Sequence, residues 1–259
     1  MFTNRSGRKG VTLAELLIAS SIFFIISAVM TAALQQTQQI YTQGLSRDTA
    51  LQQLMKARNA LVADADLAST DASAMAISKT PTTSPGLGAA DGDALMMLSP
   101  LDADGSCALD DNNKPFWRRN VLYYARVPTD YSQILGTTAV GGDDVGYDYN
   151  YPIKHLMRVE LDQNPNDTPR ISSNADTLMA FPGLTQPTGF PRTPTNRVVA
   201  ANLLSFRVQR VGSELLFDVR AVALADARKQ SGFGTQSWAN KPTTLQALFS
   251  VVPKNTTPP

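Results

Sequence analysis

The sequence predicts an α+β protein in which one long N-terminal helix, apolar enough in its first part to cross a membrane and amphipathic in its second, packs on antiparallel sheet. Three observations carry this expectation. Residues 16–34 contain no charged side chain, and residues 35–67 contain no proline. Beyond residue 68 the chain offers short apolar or alternating segments, separated by polar stretches rich in Pro, Gly, Ser and Thr. A helix followed by a succession of strands is the order of an α+β fold and not of alternating βα units.

The N-terminus is the most informative part. Arg5, Arg8 and Lys9 form a basic block that ends at Gly10, and Val11-Thr12-Leu13-Ala14-Glu15 leads into the uncharged run. By the positive-inside rule the basic block stays cytoplasmic, which puts the Gly10–Val11 bond at the inner membrane face. Glycine there lets an enzyme's backbone approach closely. Glu15 is the unusual residue, because a carboxylate entering hydrocarbon costs a few kcal/mol unless something pairs with it.

This arrangement resembles the leader of type IV pilins and pseudopilins, in which a prepilin peptidase cuts after the glycine and the new amino terminus is methylated. The resemblance implies that residues 1–10 are removed, that Val11 becomes the first mature residue, and that Glu15 serves assembly. In that family the glutamate is held to neutralise the amino terminus of a neighbouring subunit as the helices bundle, which offsets the cost of burying either charge alone. Two other readings of the segment stay open. A basic n-region, an apolar run and the small residues Thr31-Ala32-Ala33 are also the parts of a secretory signal peptide. A plain N-terminal anchor would need a span of the same length, at ~1.5 Å per residue.

Length and composition fit one exported domain on a stalk. Removing the leader and the helix leaves about 190 residues, enough for a single core of ordinary domain size. The full chain carries 23 basic and 22 acidic residues. Without the three leader cations the mature chain holds 20 basic against the same 22 acidic residues. No stripe of Lys or Arg interleaved with aromatics appears, so direct nucleic-acid binding is not expected. Cys107 is the single cysteine, which excludes an intramolecular disulfide. Many major pilins close a C-terminal loop with such a bond, and its absence favours a minor pilin or pseudopilin.

The helix is expected to continue past residue 34 to about Leu67. Leu51, Leu54 and Leu61, with Met55, Arg58 and Val62, recur at intervals of three, four and seven and predict one amphipathic face. An unbroken helix from Val11 would be roughly 85 Å long at 1.5 Å per residue. Gly44 is its weak point, at ~1 kcal/mol relative to alanine, and a place where it could bend. Strands are predicted at residues 94–98, 120–127 and 155–161. Residues 203–211 and 215–223 are predicted to form a hairpin across Gly212-Ser213, a suitable two-residue connection. Leu204, Phe206 and Val208 alternate there with Ser205, Arg207 and Gln209, as in a half-buried antiparallel strand.

The succession of these segments is similar to the J-type minor pseudopilin of type II secretion and to its relative, the W-type minor pilin. The residues that carry this are the helix end Leu54-Met55-Lys56-Ala57-Arg58-Asn59-Ala60-Leu61-Val62-Ala63-Asp64 and the segments Val121-Leu122-Tyr123-Tyr124, Leu156-Met157-Arg158-Val159 and Leu203-Leu204-Ser205-Phe206. Residues 69–93, 130–151 and 163–195 are longer than a compact J-type domain needs.

Few residues point to chemistry. Asp102, Asp104 and Asp110 lie in an oxygen-rich segment that could hold calcium, although it lacks the closing glutamate and spacing of an EF-hand. An acidic solvated loop accounts for the same residues. Gly141-Gly142-Asp143-Asp144 with Asp148 is a second cluster of this kind. No other cofactor is indicated. His155 is the only histidine, so a histidine-based zinc site is excluded, and no Gly-x-Ser-x-Gly elbow accompanies it. No enzyme activity is expected. The Pro-rich residues 181–194 read as a surface loop with polyproline character or a ligand for a partner, and Trp117 and Trp238 as core or edge residues.

The expectation is therefore a prepilin leader at 1–10, a transmembrane or filament-core helix at 11–34, its amphipathic half at 35–68, a periplasmic β-rich domain at 69–252 and a disordered tail at 253–259. The resemblance implies a single-pass inner-membrane precursor, processed to a minor pseudopilin or minor pilin in a periplasmic or cell-surface filament. Its implied partners are the prepilin peptidase, other pilin-like subunits, the inner-membrane assembly platform and inner-membrane lipid. The rival reading is a membrane-anchored exported binding protein or hydrolase outside any filament.

Overall fold

A computed structural model of the chain describes residues 11–69, 74–78, 91–101, 106–107, 109, 111–117, 119–126, 153–162, 195–223 and 244–255. The chain divides into two compact units, residues 1–45 and 46–259. The first unit contributes the start of helix α1, Leu13–Leu67, which is 55 residues long and runs through Gly44 without interruption. None of its described residues is buried.

The second unit holds the rest of α1 and an antiparallel sheet. Its strands are β1 (Met75–Ser78), β2 (Asp91–Gly92), β3 (Ala94–Ser99), β4 (Arg119–Arg126), β5 (Lys154–Asp162), β6 (Thr195–Val211), β7 (Glu214–Val222) and β8 (Thr244–Val251). They lie in the order β1-β3-β4-β5-β6-β7-β8, with β2 paired to β6 through Asp91 and Gly92 opposite Gln209 and Val208. Among the described residues one helix and one antiparallel sheet make the α+β class of the protein, as its sequence predicts.

All five predicted strands are present, and among the described residues three more accompany them. The predicted hairpin closes with Val211 opposite Glu214, and Gly212 takes a φ of 62°, where a side chain would be strained. The first of the hairpin strands is longer than its sequence indicates, starting at Thr195 and not at Leu203. Asn202 explains the difference. It has a φ of 59°, and the register shifts between Leu203 and Ser205 against β7 and around Leu156 on β5. Asparagine tolerates this left-handed conformation, and the resulting bulge lets β6 pair with β5 on one stretch and β7 on the next.

The helix stripe facing the sheet also differs from the one expected. Leu51 and Met55 are about half exposed, whereas Ala50, Leu54, Ala57, Leu61, Ala65 and Ala68 are buried. Alanine and leucine together make up the stripe that the sheet covers. The main core forms where this stripe meets Met75, Ile77, Leu95, Met97, Val121, Tyr123, Leu156, Phe206, Phe217 and Val219. On the opposite face Ala76, Ala94, Met96, Leu122, Tyr124, Met157 and Val159 form a second cluster. Strands β3 and β4 are thus buried on both faces. Leucine at position 57, where no surface is exposed, would overpack the helix against the sheet. Ala57→Leu is expected to cost about 1–3 kcal/mol in a urea unfolding curve, and an unchanged midpoint would contradict this packing.

Residues 253 to 255, expected to open a disordered tail, are instead tied to the end of α1. The Lys254 backbone N–H donates to the Asp66 carbonyl at 3.0 Å, its Nζ donates to the Asp66 carboxylate at 2.6 Å, and Asn255 Nδ2 donates to the Leu67 carbonyl at 2.6 Å. A helix C-terminus leaves its last carbonyls without intrahelical donors, and this segment supplies two.

Candidate functional site

Two places combine features that packing alone does not require. The first is the start of α1, in the unit formed by residues 1–45. Gly10 and the rest of residues 1–10 lie outside the described residues. Val11 is exposed, and Thr12 precedes the first helical residue, Leu13. The Thr12 backbone N–H donates to Glu15 Oε2 at 2.9 Å, and the Thr12 hydroxyl donates to the same oxygen at 3.0 Å. In return the Glu15 N–H donates to Thr12 Oγ1 at 3.3 Å. The Leu16 N–H reaches the Thr12 carbonyl at 3.1 Å and closes the first helical turn. This is a capping box, in which the two residues satisfy each other's orphan backbone donors.

Glu15 thus has a role inside its own chain that the sequence analysis did not assign. The signal was present as Thr12-x-x-Glu15 ahead of an apolar run. Glu15 also sits in the first turn, where the positive end of the helix dipole favours an anion. Among the described residues only Oε2 of this carboxylate accepts a hydrogen bond, so Oε1 remains for a further donor.

From Leu16 to Leu34 the helix carries no charged side chain and is apolar on every side. Leu13, Leu16, Leu17, Ile18, Ile22, Phe23, Phe24, Ile25, Ile26, Val29, Met30 and Leu34 are all exposed, and the stretch is long and apolar enough to cross a membrane. A helix with this pattern is stable only when lipid or protein surrounds it. Its hydroxyl groups fit such surroundings. Ser20 and Ser21 donate to the Leu17 carbonyl at 3.0 and 2.7 Å, and Thr31 donates to the Ser27 carbonyl at 2.8 Å. Folding a hydroxyl back onto the helix backbone avoids an unsatisfied donor in an apolar medium. Among the described residues, the arrangement is that of one N-terminal helix long and apolar enough to cross a membrane, followed by a sheet-bearing domain.

The second place is a buried ionic constellation in the other unit, between α1 and strands β4 and β5. Asp64 lies on the buried side of the helix, and Arg158 meets it from β5 with two hydrogen bonds, Nε to Oδ2 at 2.6 Å and Nη2 to Oδ1 at 3.1 Å. Tyr123, opposite Arg158 in the β4–β5 register, donates its hydroxyl proton to Asp64 Oδ2 and lies 3.2 Å from the Ala60 carbonyl. Arg158 Nη1 also pairs with Glu160 at 2.9 Å, and Glu160 stands 3.5 Å from Arg119. A carboxylate held by a planar two-pronged guanidinium and a phenol is well compensated. Burial alone would lower the Arg158 pKa, but the hydrogen bond and charge of Asp64, with Tyr123 and Glu160 adding, raise it above the ordinary arginine value. The Tyr123 phenol is also pushed up, first by burial and then by the Asp64 carboxylate.

That shift has a sign that can be tested. The unfolded phenol loses its proton near pH 10, while the folded one holds it, so the stabilisation is complete below that pH and declines as pH rises above it. Tyr123→Phe is expected to cost about 1–3 kcal/mol at neutral pH, because the charged acceptor loses a donor. It should also flatten the alkaline decline of the unfolding midpoint. A variant with the same alkaline slope as the parent would show that Tyr123 is not the responsible group.

Among the described residues, the remaining candidates are not brought together. Asp102, Asp104 and Asp110 lie outside the described residues, as do Gly141 to Asp144, Asp148, residues 181–194 and Trp238. Cys107 is exposed and bridges to Leu101 across the segment that holds Asp102 and Asp104. Among the described residues no three His, Cys, Asp or Glu side chains are grouped to hold a metal ion. His155 is half-buried on β5 opposite Arg126. Trp117 is buried beside Ala74 and Leu98. No known protein family, curated protein or solved structure matches the chain.

Proposed function

We propose that this protein is a minor pseudopilin or minor pilin, cleaved after Gly10 and assembled through the first part of α1 with other pilin-like subunits. Its pilin-like fold would place the sheet domain in the periplasm, on the tip or shaft of a type II secretion pseudopilus or type IV pilus. The observation that carries this reading is an all-round apolar, unburied helix whose first turn holds a carboxylate five residues after a glycine that closes a basic leader. Lipid explains the apolar residues before assembly, and neighbouring helices explain them afterwards. Small residues such as Ala19, Ser20, Ser21, Ser27 and Ala28 let those helices approach. The role is assembly and interaction, without catalysis. Its partners are the prepilin peptidase, the inner-membrane assembly platform and the other subunits.

The N-terminal peptide of the membrane-extracted protein, measured by mass spectrometry in cells that contain a prepilin peptidase, tests the proposal. A chain that starts at Val11, with an added methyl group, is the expected result. Gly10→Val should abolish it and leave the full precursor. An intact leader in the parent protein would replace this reading by a simple anchor, and a start near Leu34 by a conventional signal peptide.

One observation favours the rival, an anchored exported protein outside any filament. The capping box gives Glu15 a sufficient reason to exist in a lone helix.

A further inference from the structure

The sheet ends on an edge that lacks the usual safeguards. Among the described residues β8 pairs with β7 alone, and its outer side meets no strand. Natural edge strands are kept from pairing with other chains by shortness, charge, proline or a bulge. At the other end of the path, β1 is four residues long, and its Met75, Ala76 and Ile77 are buried. Strand β8 is eight residues long and holds no charged residue and no proline. Its register against β7 runs without a shift from Val222 opposite Thr244 to Leu215 opposite Val251. Both of its faces are partly open. Leu248 is 70% exposed on one, and Ala247 and Phe249 are only partly covered on the other, which faces α1. The helix side also carries a charge. The Arg58 guanidinium lies 5.9 Å from the centroid of the Phe249 ring. Arg58 is exposed, and among the described residues no carboxylate pairs with it. It shares a helix face with Leu51 and Met55, each about half exposed.

We propose that β8 is a docking edge for an extended acidic segment of another protein, which adds a strand to the sheet and brings a carboxylate to Arg58. The outer side of an edge strand presents a row of backbone N–H and C=O groups, and hydrogen bonds to that row supply the affinity. Side chains of an added strand point alternately to the two faces. One set covers Leu248, and the other lies beside Phe249, where the exposed guanidinium selects a negative charge. Charge also decides against a second copy of this chain as the occupant. A second copy would bring the same uncharged strand and another Arg58, and so no carboxylate for the first. The inference rests on the sheet-bearing unit alone and does not depend on the filament reading.

Amide hydrogen exchange of the full chain in detergent tests it. The probe is a short capped peptide that alternates valine with threonine and carries a single aspartate, compared with the same peptide carrying lysine in its place. At millimolar concentration the aspartate peptide is expected to slow exchange within residues 245–251, and the lysine peptide to bind about fivefold more weakly. Arg58→Glu, a change at an exposed side chain, should reverse that preference. The aspartate peptide with every amide N-methylated cannot donate to the edge and should give no protection. Equal affinity of the two charged peptides would overturn the acidic partner. Protection that rises with protein concentration in the absence of peptide would assign the edge to a second copy instead. Unchanged exchange with either peptide would overturn the docking edge itself.

Discussion

Arg158→Met is expected to destabilise the sheet-bearing unit by about 3–5 kcal/mol, because it removes one partner of a buried ion pair and leaves the other uncompensated. Asp64 and Arg158 are each under a tenth exposed. The loss would be a large part of a domain stability that is typically about 5–15 kcal/mol. The measurement is urea unfolding of the extracted protein, followed by circular dichroism. The double variant Asp64→Leu with Arg158→Met should recover most of the loss, since an apolar pair of similar volume often replaces a buried ion pair at little cost. The difference between the double variant and the sum of the singles then measures the coupling directly. A single-variant loss below about 1 kcal/mol would put the pair among weak surface-type bridges, against the geometry described.

The other large effect concerns Glu15, where the capping box makes two substitutions more informative than one. Glu15→Gln keeps an oxygen able to accept from the Thr12 N–H and hydroxyl, and so preserves the cap while removing the charge. Glu15→Ala removes both, and loss of a cap of this kind costs about 1 kcal/mol of helix stability. If the carboxylate pairs with the amino terminus of a neighbouring subunit, both variants should be cleaved after Gly10 and both should be missing from filaments. If its work is only to cap its own helix, Glu15→Gln should behave as the parent does. Immunodetection of the subunit in sheared or overexpressed filaments, together with the N-terminal mass, separates the cases. Normal recovery of Glu15→Gln in filaments would remove the intersubunit role and leave the cap as the explanation.

What the sequence revealed follows from where its periodicities are strong. Residues 203–211 and 215–223 are read correctly because one face is buried and the other is not, so apolar and polar residues alternate. Strand β1 is four residues long and its members belong to clusters on both sides of the sheet, Met75 and Ile77 on one and Ala76 on the other. No alternation can survive there. In β8, Leu245, Ala247, Phe249 and Val251 point to the core side, but Leu248 breaks the pattern by standing 70% exposed on the other. The start of β6 is not legible because residues 195–202 do not alternate between apolar and polar, and the strand bulges beside Asn202. The helix stripe was misread for a related reason. Leu51 and Met55 outweigh alanine in any hydrophobicity pattern, yet Ala50 and Ala57 are the residues that the sheet buries.

The sequence by itself determined the class and the chemistry of the N-terminus. A charge-free run of membrane length, a basic segment that ends in glycine, and Glu15 in the first turn are local facts, and local facts are fixed by neighbours along the chain. The tertiary structure alone decided what Asp64 is for. In the sequence it is an ordinary acid near the end of a helix, 59 residues from Tyr123 and 94 from Arg158. Only the pairing of β4 with β5 places those two side chains at the same level, and only the packing of α1 on that sheet removes all three from water. A charge acquires its meaning from its partners and its burial, and both are properties of the folded chain.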